Sequence, residues 1–492
     1  MPKKFYITTP VYYVNDVPHI GHTYTTVAAD VLARWHRALG EETFFLTGTD
    51  EHGAKIETKA REMKIAPRKY ADEISTKFKQ AWRELNISHD NFLRTTDPAH
   101  VKAVQNALQQ MYDKGDIYLG KYEGLYCRGC EQYKSERDLA DGLCPDHLLA
   151  PEKMSEECYT FRLSKYQDKL LKLIKNNKLK ILPVNRKNEI VNFIEDQGLE
   201  DVSFSRKNVG WGIPIPWDKA HTIYVWADAF LNYLTGLGWD GTNAPTPLSK
   251  GGAGGLKFWP PTAQLMSKDI LRVHATIWQA MLLSLGLPLS RTLFVHGYFL
   301  VDGQKMSKSL GNVIAPDELV KKYGVDASRY LLMSATVFGR DGDIGWKKFD
   351  EKYNADLANG LGNLVSRVAN LVEKNKLELK LSGFARSGVA RKIGSDKKLI
   401  KAYRESMENF KFDQALKLLW QKLRDSDEIL SDKKPWKLED KKAVKKILAP
   451  VAQNILNAAG LLEPFMPEVS QKIINQFSAK QIAKGEPLFP RI

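Results

Sequence analysis

Histidine, glycine and lysine in two short strings give this chain its first chemical suggestion. One is His19-Ile20-Gly21-His22 and the other, far downstream, is Lys305-Met306-Ser307-Lys308-Ser309. Imidazoles at a helix start and lysines on a loop both suit the binding of phosphate. The elements that must position the first string can be read around it. Phe5-Tyr6-Ile7-Thr8-Thr9 is a β-rich run, and Pro10 to Pro18, with Asn15-Asp16 inside it, is turn-rich. Val27, Val31 and Trp35 then recur at i, i+4 spacing, Ala28 and Leu32 do so beside them, and Gly40 stops the pattern. Thr43-Phe44-Phe45-Leu46 reads as a buried strand. The spacing predicts a βαβ unit with His19 and His22 at the N-terminus of its helix, where free N–H groups and the helix dipole favour phosphate. Gly21 allows close approach of a nucleotide to the backbone. Taken alone, two histidines at this spacing could simply cap the helix.

The lysine string follows Phe294-Val295-His296-Gly297-Tyr298-Phe299-Leu300, a strand-like run, and the turn signal Asp302-Gly303, and it precedes Gly311-Asn312. A lysine loop between glycines can close over a triphosphate and reopen. The plain alternative is a solvated basic loop.

Three of the four cysteines cluster with a histidine, as Cys127-Arg128-Gly129-Cys130 and Cys144-Pro145-Asp146-His147, with thirteen residues between the half-sites. Two such turns can present four ligands to one ion, a closed Cys3His zinc set with no open position. The metal expected at Cys127, Cys130, Cys144 and His147 is therefore structural. The alternative is reduced thiols without metal. Cys158 lies outside the pattern and reads as a buried small hydrophobe.

The length of 492 residues calls for more than one core. The formal charge of +15 is spread along the chain, which suits a long polyanion better than a membrane-surface patch. Four cysteines argue against a disulfide framework. Met1-Pro2-Lys3-Lys4 runs straight into the first strand, with no signal-peptide pattern and no apolar run long enough for a bilayer. The expectation is a cytoplasmic protein without membrane contact.

With these motifs in place the chain resembles the methionyl-tRNA synthetases, a family of class I aminoacyl-tRNA synthetases, over nearly its whole length. The segments that carry the resemblance are Tyr6 to His22, Thr47-Gly48-Thr49-Asp50-Glu51-His52-Gly53, Trp211 to Pro216, Tyr224-Val225-Trp226-Ala227-Asp228-Ala229 and Ser267-Lys268-Asp269-Ile270-Leu271-Arg272-Val273-His274. Ser267 stands where the family usually has glycine. The resemblance implies catalytic roles for His19, His22, Lys305 and Lys308, and ATP contacts from His19, Gly21, His22, Asp269 and Lys308. It implies a methionine pocket of Val11, Tyr13, Asp50, Trp226, Ala229, Tyr233, Ile270 and His274, with Asp50 on the substrate ammonium. Without the resemblance, Trp226 and Tyr233 would be read as core packing.

The expected fold is α/β: a doubly wound Rossmann-type nucleotide-binding domain with an inserted zinc-knuckle connective domain, followed by an α-helical anticodon-binding bundle. The boundaries expected are 1–115 for the first half of the catalytic domain, 116–216 for the connective domain and 217–290 for the second half. A stem-contact region with the lysine loop follows at 291–352, and the helical domain at 353–492. A Gly/Pro/Ser-rich loop interrupts at Asn243 to Gly255. Phe412, Leu416 and Leu419, and then Ile447, Leu448, Val451, Ile455 and Leu456, form helical stripes. The lysine-rich Glu373 to Lys398 reads as a mobile loop. Asn359 to Arg367 resembles the family's anticodon helix, with Asn363 and Arg367 on one face. Lys434-Pro435-Trp436 resembles its stacking loop, so the anticodon residues expected are Asn363, Arg367, Pro435 and Trp436. Trp436 alone reads equally well as interdomain packing. The chain stops at Ile492, soon after the bundle, which suggests a monomer.

The implied activity is ATP-dependent ligation of L-methionine to methionine tRNA through methionyl-adenylate, with Mg2+ accompanying ATP and one structural Zn2+. A class I synthetase for leucine, isoleucine or valine would need a larger editing insert, and one for cysteine would need zinc in the amino-acid pocket. An RNA-binding zinc protein with an inactive nucleotide fold is the alternative outside enzymes.

Overall fold

The computed structural model describes residues 3–127, 132–134, 136, 139–145, 148–207, 209–242, 255–301, 303–306, 312–381 and 397–492. At its centre is a parallel six-stranded sheet. Strand β1 (Lys4–Tyr13) leads through helix α1 (Ile20–Ala38) to β2 (Glu42–Asp50). Helices α2 (Ala54–Glu62) and α3 (Pro67–Glu84) precede β3 (Asn91–Arg94), and α4 (Pro98–Asp113) follows it. The sheet is completed by Ala263–Ser267, Thr292–His296 and Lys180–Leu182, in the order β3, β2, β1, Ala263–Ser267, Thr292–His296, Lys180–Leu182.

The predicted βαβ unit is present, with one difference. β1 runs into the stretch read as turn-rich and ends at Tyr13, after a register shift between Thr8 and Val11. Pro10 sits in that irregularity, where its missing N–H takes no ladder bond away. Val27, Val31 and Trp35 are buried as their spacing requires, and Gly40 takes φ +77° just past the helix.

After α4 the chain forms an antiparallel sheet from β4 (Ile117–Cys127), β5 (Gln132–Lys134), β6 (Glu152–Phe161) and Val202–Ser203. Helices α5 (Gln167–Lys175) and α6 (Val184–Gln197) lie between β6 and Val202–Ser203 in sequence. Lys180–Leu182 comes from this same stretch, yet it pairs in parallel with Thr292–His296 at the edge of the central sheet. The segment expected to form a separate insert thus contributes a strand to the central sheet. Three residues are too few for a period-2 signal to mark.

The run from Phe294 to Leu300, read as one strand, is broken into two. Thr292–His296 stays in the central sheet, while Phe299–Val301 joins a small sheet with Gln304–Lys305 and Gly342–Ile344. The break falls at Gly297, where a Cβ would lie 2.2 Å from the carbonyl carbon of Arg340. Only glycine permits that crossing of two backbones.

From Trp346 onward the regular elements among the described residues are helices. Trp346–Lys352 passes through a π-helical stretch, Tyr353–Gly362, into Asn363–Lys374, and Lys397–Glu408, Phe412–Lys433, Lys441–Leu462 and Pro467–Phe477 follow. The span expected as a loop from Glu373 to Lys398 is helical at both ends, and residues 382–396 of it lie outside the described residues. Residues 243–254 of the Gly/Pro/Ser-rich loop also lie outside them.

One hydrophobic core runs without interruption from Phe5, Ile20 and Val31 through Leu331 and Leu364 to Leu448 and Phe465. A second fills the other side of the sheet around Leu46, Phe161, Tyr233 and Trp278. Midway along α1, Asp30 and Arg329 meet with no exposure of either side chain, 2.7 Å apart. Arg329 also donates to the carbonyls of Leu85, Pro464 and Phe465. One guanidinium therefore ties α1, the end of α3 and the helical bundle together. Among the described residues no helix is long and apolar enough to cross a membrane.

Candidate functional site

The order of the central sheet reverses between β1 and Ala263–Ser267: β2 and β3 lie on one side, Thr292–His296 and Lys180–Leu182 on the other. Crevices at the carboxyl ends of strands beside such a reversal are where open α/β sheets bind ligands. His19 and His22 stand after β1, and Asp269 after Ala263–Ser267, so both borders of the crevice carry residues singled out from the sequence.

His19 is the N-cap of α1. Its Nδ1 accepts from the N–H of Gly21 at 3.0 Å, and its own N–H donates to Nδ1 of His22 at 3.3 Å. The two rings stack with centroids 3.9 Å apart. The two imidazoles thus cap the helix terminus, engaging the N–H groups of His19 and Gly21. A Cβ on Gly21 would lie 2.9 Å from the His19 ring. Burial, and then the neighbouring His19, hold the His22 pKa well below the usual imidazole value. Tyr12, which the sequence did not single out, supports the pair. Its hydroxyl meets Oγ1 of Thr26 at 2.7 Å and donates to the His22 carbonyl, and its ring lies against that of His22.

The described residues flanking the lysine string approach the same helix. Leu300 pairs with Lys305 in a tight hairpin, and past the loop the carbonyl of Ile314 accepts from the N–H of Ile20 at 3.0 Å. The segments flanking the loop are therefore anchored near the start of α1. Lys308 lies outside the described residues, as do Ser307, Ser309 and Gly311, while Lys305 is described in its backbone. Asp269 is exposed, and the Ser267 hydroxyl donates to its carboxylate. Ser267 has φ −81° and ψ 164°, an extended backbone open to any residue. The departure from glycine does not alter the local path.

The expected amino-acid pocket gathers around helix α7 (Val225–Ala229) and the short helix α8 (Asn232–Thr235). The Tyr233 hydroxyl lies 2.8 Å from Nε2 of His274, and Nδ1 of His274 lies 2.8 Å from the carbonyl of Ile270. A carbonyl only accepts, so Nδ1 carries the proton and Nε2 accepts from the tyrosine. Burial pushes the His274 pKa down to about 4, so this pair is neutral at ordinary pH. The Trp226 ring stands edge-on to His274, with Phe230 beside both. Val11, Trp226 and Ile270 are half-buried against the second core, Tyr13 is half-buried, and Ala229 and Asp50 are buried. Beside α7 an open cleft is lined by Gly53, Tyr126, Arg206, Trp211, Tyr224 and Val225.

Sequence reading missed the polar frame behind this pocket. Asp228 on α7 accepts from Nδ1 of His52 and from Nε2 of His100, each at 2.7 Å. Glu51 pairs with Arg94 through two bonds of 2.7 Å, and Trp211 Nε1 donates to the Glu51 carbonyl at 2.6 Å. The partners come from distant elements and no local period marks them.

Of the expected zinc ligands, Cys127 ends β4 and Cys144 opens a turn closed by the Leu148 N–H on the Cys144 carbonyl at 2.7 Å. Both are buried, although Leu143, Leu148 and Leu149 beside Cys144 are exposed. Cys130 and His147 lie outside the described residues. Among the described residues no group of three potential metal ligands assembles. Nor does any described apolar residue between Ile117 and Tyr159 belong to a core. Buried thiols in a segment whose described residues join no core cluster fit a metal-held knuckle. Cys158 is buried with Sγ 3.6 Å from Thr160 Oγ1.

In the bundle, Asn363 is exposed on its helix, and one turn on the Arg367 guanidinium lies 4.6 Å from the centre of the Trp436 ring. Asp427 holds Arg367 at 2.9 Å. Lys434, at φ +45°, ends Phe412–Lys433, and Pro435 is buried while Trp436 remains 44% exposed. An indole so placed offers surface to a base.

Comparison with known proteins agrees with this architecture. The model of the tRNA synthetases class I (M) matches residues 5–150 and 149–369, and that of the anticodon-binding domain of tRNA ligase matches 395–490. The methionine--tRNA ligase of Clostridium acetobutylicum is 42% identical over 518 residues, covering 100% of this chain and 78% of that relative. The methionine--tRNA ligase of Nostoc sp. is 43% identical over 483 residues, covering 96% and 90%. The structure of Mycobacterium tuberculosis methionyl-tRNA synthetase in complex with methionyl-adenylate superimposes with a TM-score of 0.89 at 34% identity, covering 99% of this chain and 100% of that one. A helix-capping histidine pair at the switch point, a neutral Tyr233–His274 pair and a similarity that runs the length of the chain lead to one conclusion: the chain belongs to the methionine--tRNA ligases, within the tRNA synthetases class I (M).

Proposed function

We propose that this chain ligates L-methionine to methionine tRNA in two steps at the crevice between β1 and Ala263–Ser267. In the first, a carboxylate oxygen of methionine attacks the α-phosphorus of ATP, which carries Mg2+. The bond to the bridging oxygen breaks, and methionyl-adenylate and pyrophosphate form. In the second, the 2′-hydroxyl of the terminal tRNA adenosine attacks the acyl carbon, AMP leaves and the hydroxyl proton is lost. The activity is that of a class I methionine--tRNA ligase, supported by the relatives' chain-long similarity. What supports the site assignment is the presence of two contrasting environments, the capped helix terminus and the neutral aromatic pair. The His19–His22 terminus suits anionic phosphates, and the neutral Tyr233–His274 pair suits an uncharged thioether.

In this reading His19, Gly21 and His22 receive the phosphates, Asp269 the ribose hydroxyls, and Lys305 and Lys308 the leaving pyrophosphate. Asp50 takes the substrate ammonium. Val11, Tyr13, Trp226, Ala229, Tyr233, Ile270 and His274 surround the side chain, whose sulfur makes favourable contacts with aromatic edges. Catalysis in this transition state is mainly positioning and charge stabilisation, which these groups supply without covalent chemistry. ATP–pyrophosphate exchange with each of the twenty amino acids tests the assignment. Methionine should drive exchange far above the rest, and a different preferred amino acid would overturn it.

The zinc knuckle belongs to the same proposal, with Cys127, Cys130, Cys144 and His147 as ligands and no part in the chemistry. Purified protein should contain about one zinc per chain, in line with a single tetrahedral site. Elemental analysis of the parent and of a variant with Cys127→Ala and Cys144→Ala checks this. Metal retained by the double variant would count against these ligands.

The helical domain reads the anticodon through Asn363, Arg367, Pro435 and Trp436 and leaves adenylation to the sheet domain, and the enzyme acts as a cytoplasmic monomer. Trp436→Ala should lower kcat/KM for tRNA aminoacylation by about 5- to 150-fold, the equivalent of one lost base stack. Pyrophosphate exchange without tRNA should stay within about twofold of the parent, because the stack lies outside the site of chemistry. Aminoacylation at the parent's rate would make Trp436 a packing residue.

A further inference from the structure

Asp228 is 1% exposed, and both of its oxygens are engaged. Oδ2 accepts from Nδ1 of His52 and Oδ1 from Nε2 of His100, each at 2.7 Å. His100 is equally buried, and its Nδ1 lies 2.7 Å from Oγ1 of Thr235. Burial alone would raise the Asp228 pKa, but the two imidazoles outweigh it and hold the carboxyl below its ordinary value. The carboxylate accepts from both rings and is fully paired.

The members come from four places that border the proposed methionine pocket. His52 follows Asp50 by two residues beyond β2, and His100 lies in the first turn of α4. Asp228 sits on α7 between Trp226 and Ala229, and Thr235 ends α8, which carries Tyr233. The bridge thus joins the wall expected to bind the substrate ammonium to the wall expected to bind its side chain. Trp211 holds the same loop from the other side, donating through Nε1 to the Glu51 carbonyl and accepting the Gly53 N–H at 2.9 Å. His52 can therefore move little without moving α7.

We propose that the His52–Asp228–His100 bridge is a positioning device that sets the distance between the ammonium-binding and side-chain-binding walls, and so the amino-acid selectivity of the site. This rests on the pocket assignment above. None of the three side chains need touch the substrate. Their bonds are short, buried and directional, so the spacing they impose is stiffer than apolar packing provides.

Asp228→Asn tests the proposal. One carboxylate oxygen becomes an N–H2 facing an imidazole N–H, so one bond is lost and two donors collide. In pyrophosphate exchange, KM for methionine should rise about tenfold or more, the scale of one lost charge-assisted bond, while KM for ATP stays within about twofold. The preference for methionine over ethionine, one methylene longer, should fall by about fivefold or more, within the range a single methylene can contribute. A second pair guards against a variant that fails to fold. His100→Gln keeps an N–H donor and should stay near the parent in both quantities, whereas His100→Phe should behave like Asp228→Asn. If the variants melt lower but keep the parent's methionine KM and methionine-to-ethionine ratio, the bridge is only structural and the proposal is overturned. The same holds if KM for ATP rises in step with KM for methionine. A parent protein that activates no methionine would instead overturn the pocket assignment itself.

Discussion

Replacing Lys308 with alanine should slow adenylate formation by about 10²–10³-fold, the scale on which removal of one preorganised charge-stabilising donor acts. The reason is the charge history of the reaction. ATP enters with its negative charge spread over three phosphates, and charge builds on the β- and γ-phosphates as the bond to the α-phosphate breaks. A lysine that meets the departing pyrophosphate contributes most in that transition state, so the loss falls on the rate constant and much less on methionine affinity. The flanking segments support this placement, since Lys305 is in a hairpin and Ile314 is bonded to the first residue of α1. Single-turnover adenylate formation at saturating methionine and ATP measures it. A rate constant equal to the parent's would remove Lys308 from the mechanism.

Arg329→Met should destabilise the fold by about 3–5 kcal/mol, the usual cost of removing one partner from a buried ion pair. Arg329 is fully buried and satisfies Asp30 together with three carbonyls, those of Leu85, Pro464 and Phe465. Methionine fills similar volume but pairs with none of them. Arg34 and Ser88 still hold Asp30, at 2.7 Å and 2.6 Å, which keeps the loss from being larger. The effect depends on pH. Burial raises the Asp30 carboxyl and the two arginines and Ser88 outweigh that, leaving its folded pKa below the ordinary value. Its contribution is present above the unfolded carboxylate pKa and is lost as pH falls through the folded one. The variant should therefore lose least relative to the parent in acid. Melting temperatures across the acid range check both statements. Equal melting of the two proteins at neutral pH would refute the first, and a gap that widens in acid would refute the second.

The β1–α1–β2 unit was legible because its signals are local. A 3.6-residue stripe of Val27, Val31 and Trp35 and a glycine at φ +77° need no distant partner to be read. The long stripes around Leu416 and Val451 became helices for the same reason. Legibility ended where short elements drew their meaning from neighbours. Lys180–Leu182 is a strand because an edge of the central sheet was open to it, and Gly297 breaks a strand because Arg340 crosses there.

The sequence by itself determined the chemical types at the site and the family they resemble: paired histidines at a helix start, a lysine loop, an aromatic run at Trp226 and a tryptophan after Pro435. Tertiary structure alone decided how these groups are held. His52 and His100 lie 176 and 128 residues from Asp228, and Arg367 lies 60 from Asp427. Histidine and aspartate are common surface residues, and only burial together turns them into a rigid bridge. The neutral state of His274 was equally hidden, because it follows from the loss of water around the ring, which outweighs the opposing effect of the Ile270 carbonyl on Nδ1. Residue type and period are written along the chain. Desolvation and distance between remote side chains exist only once the sheet and the helices around it have closed.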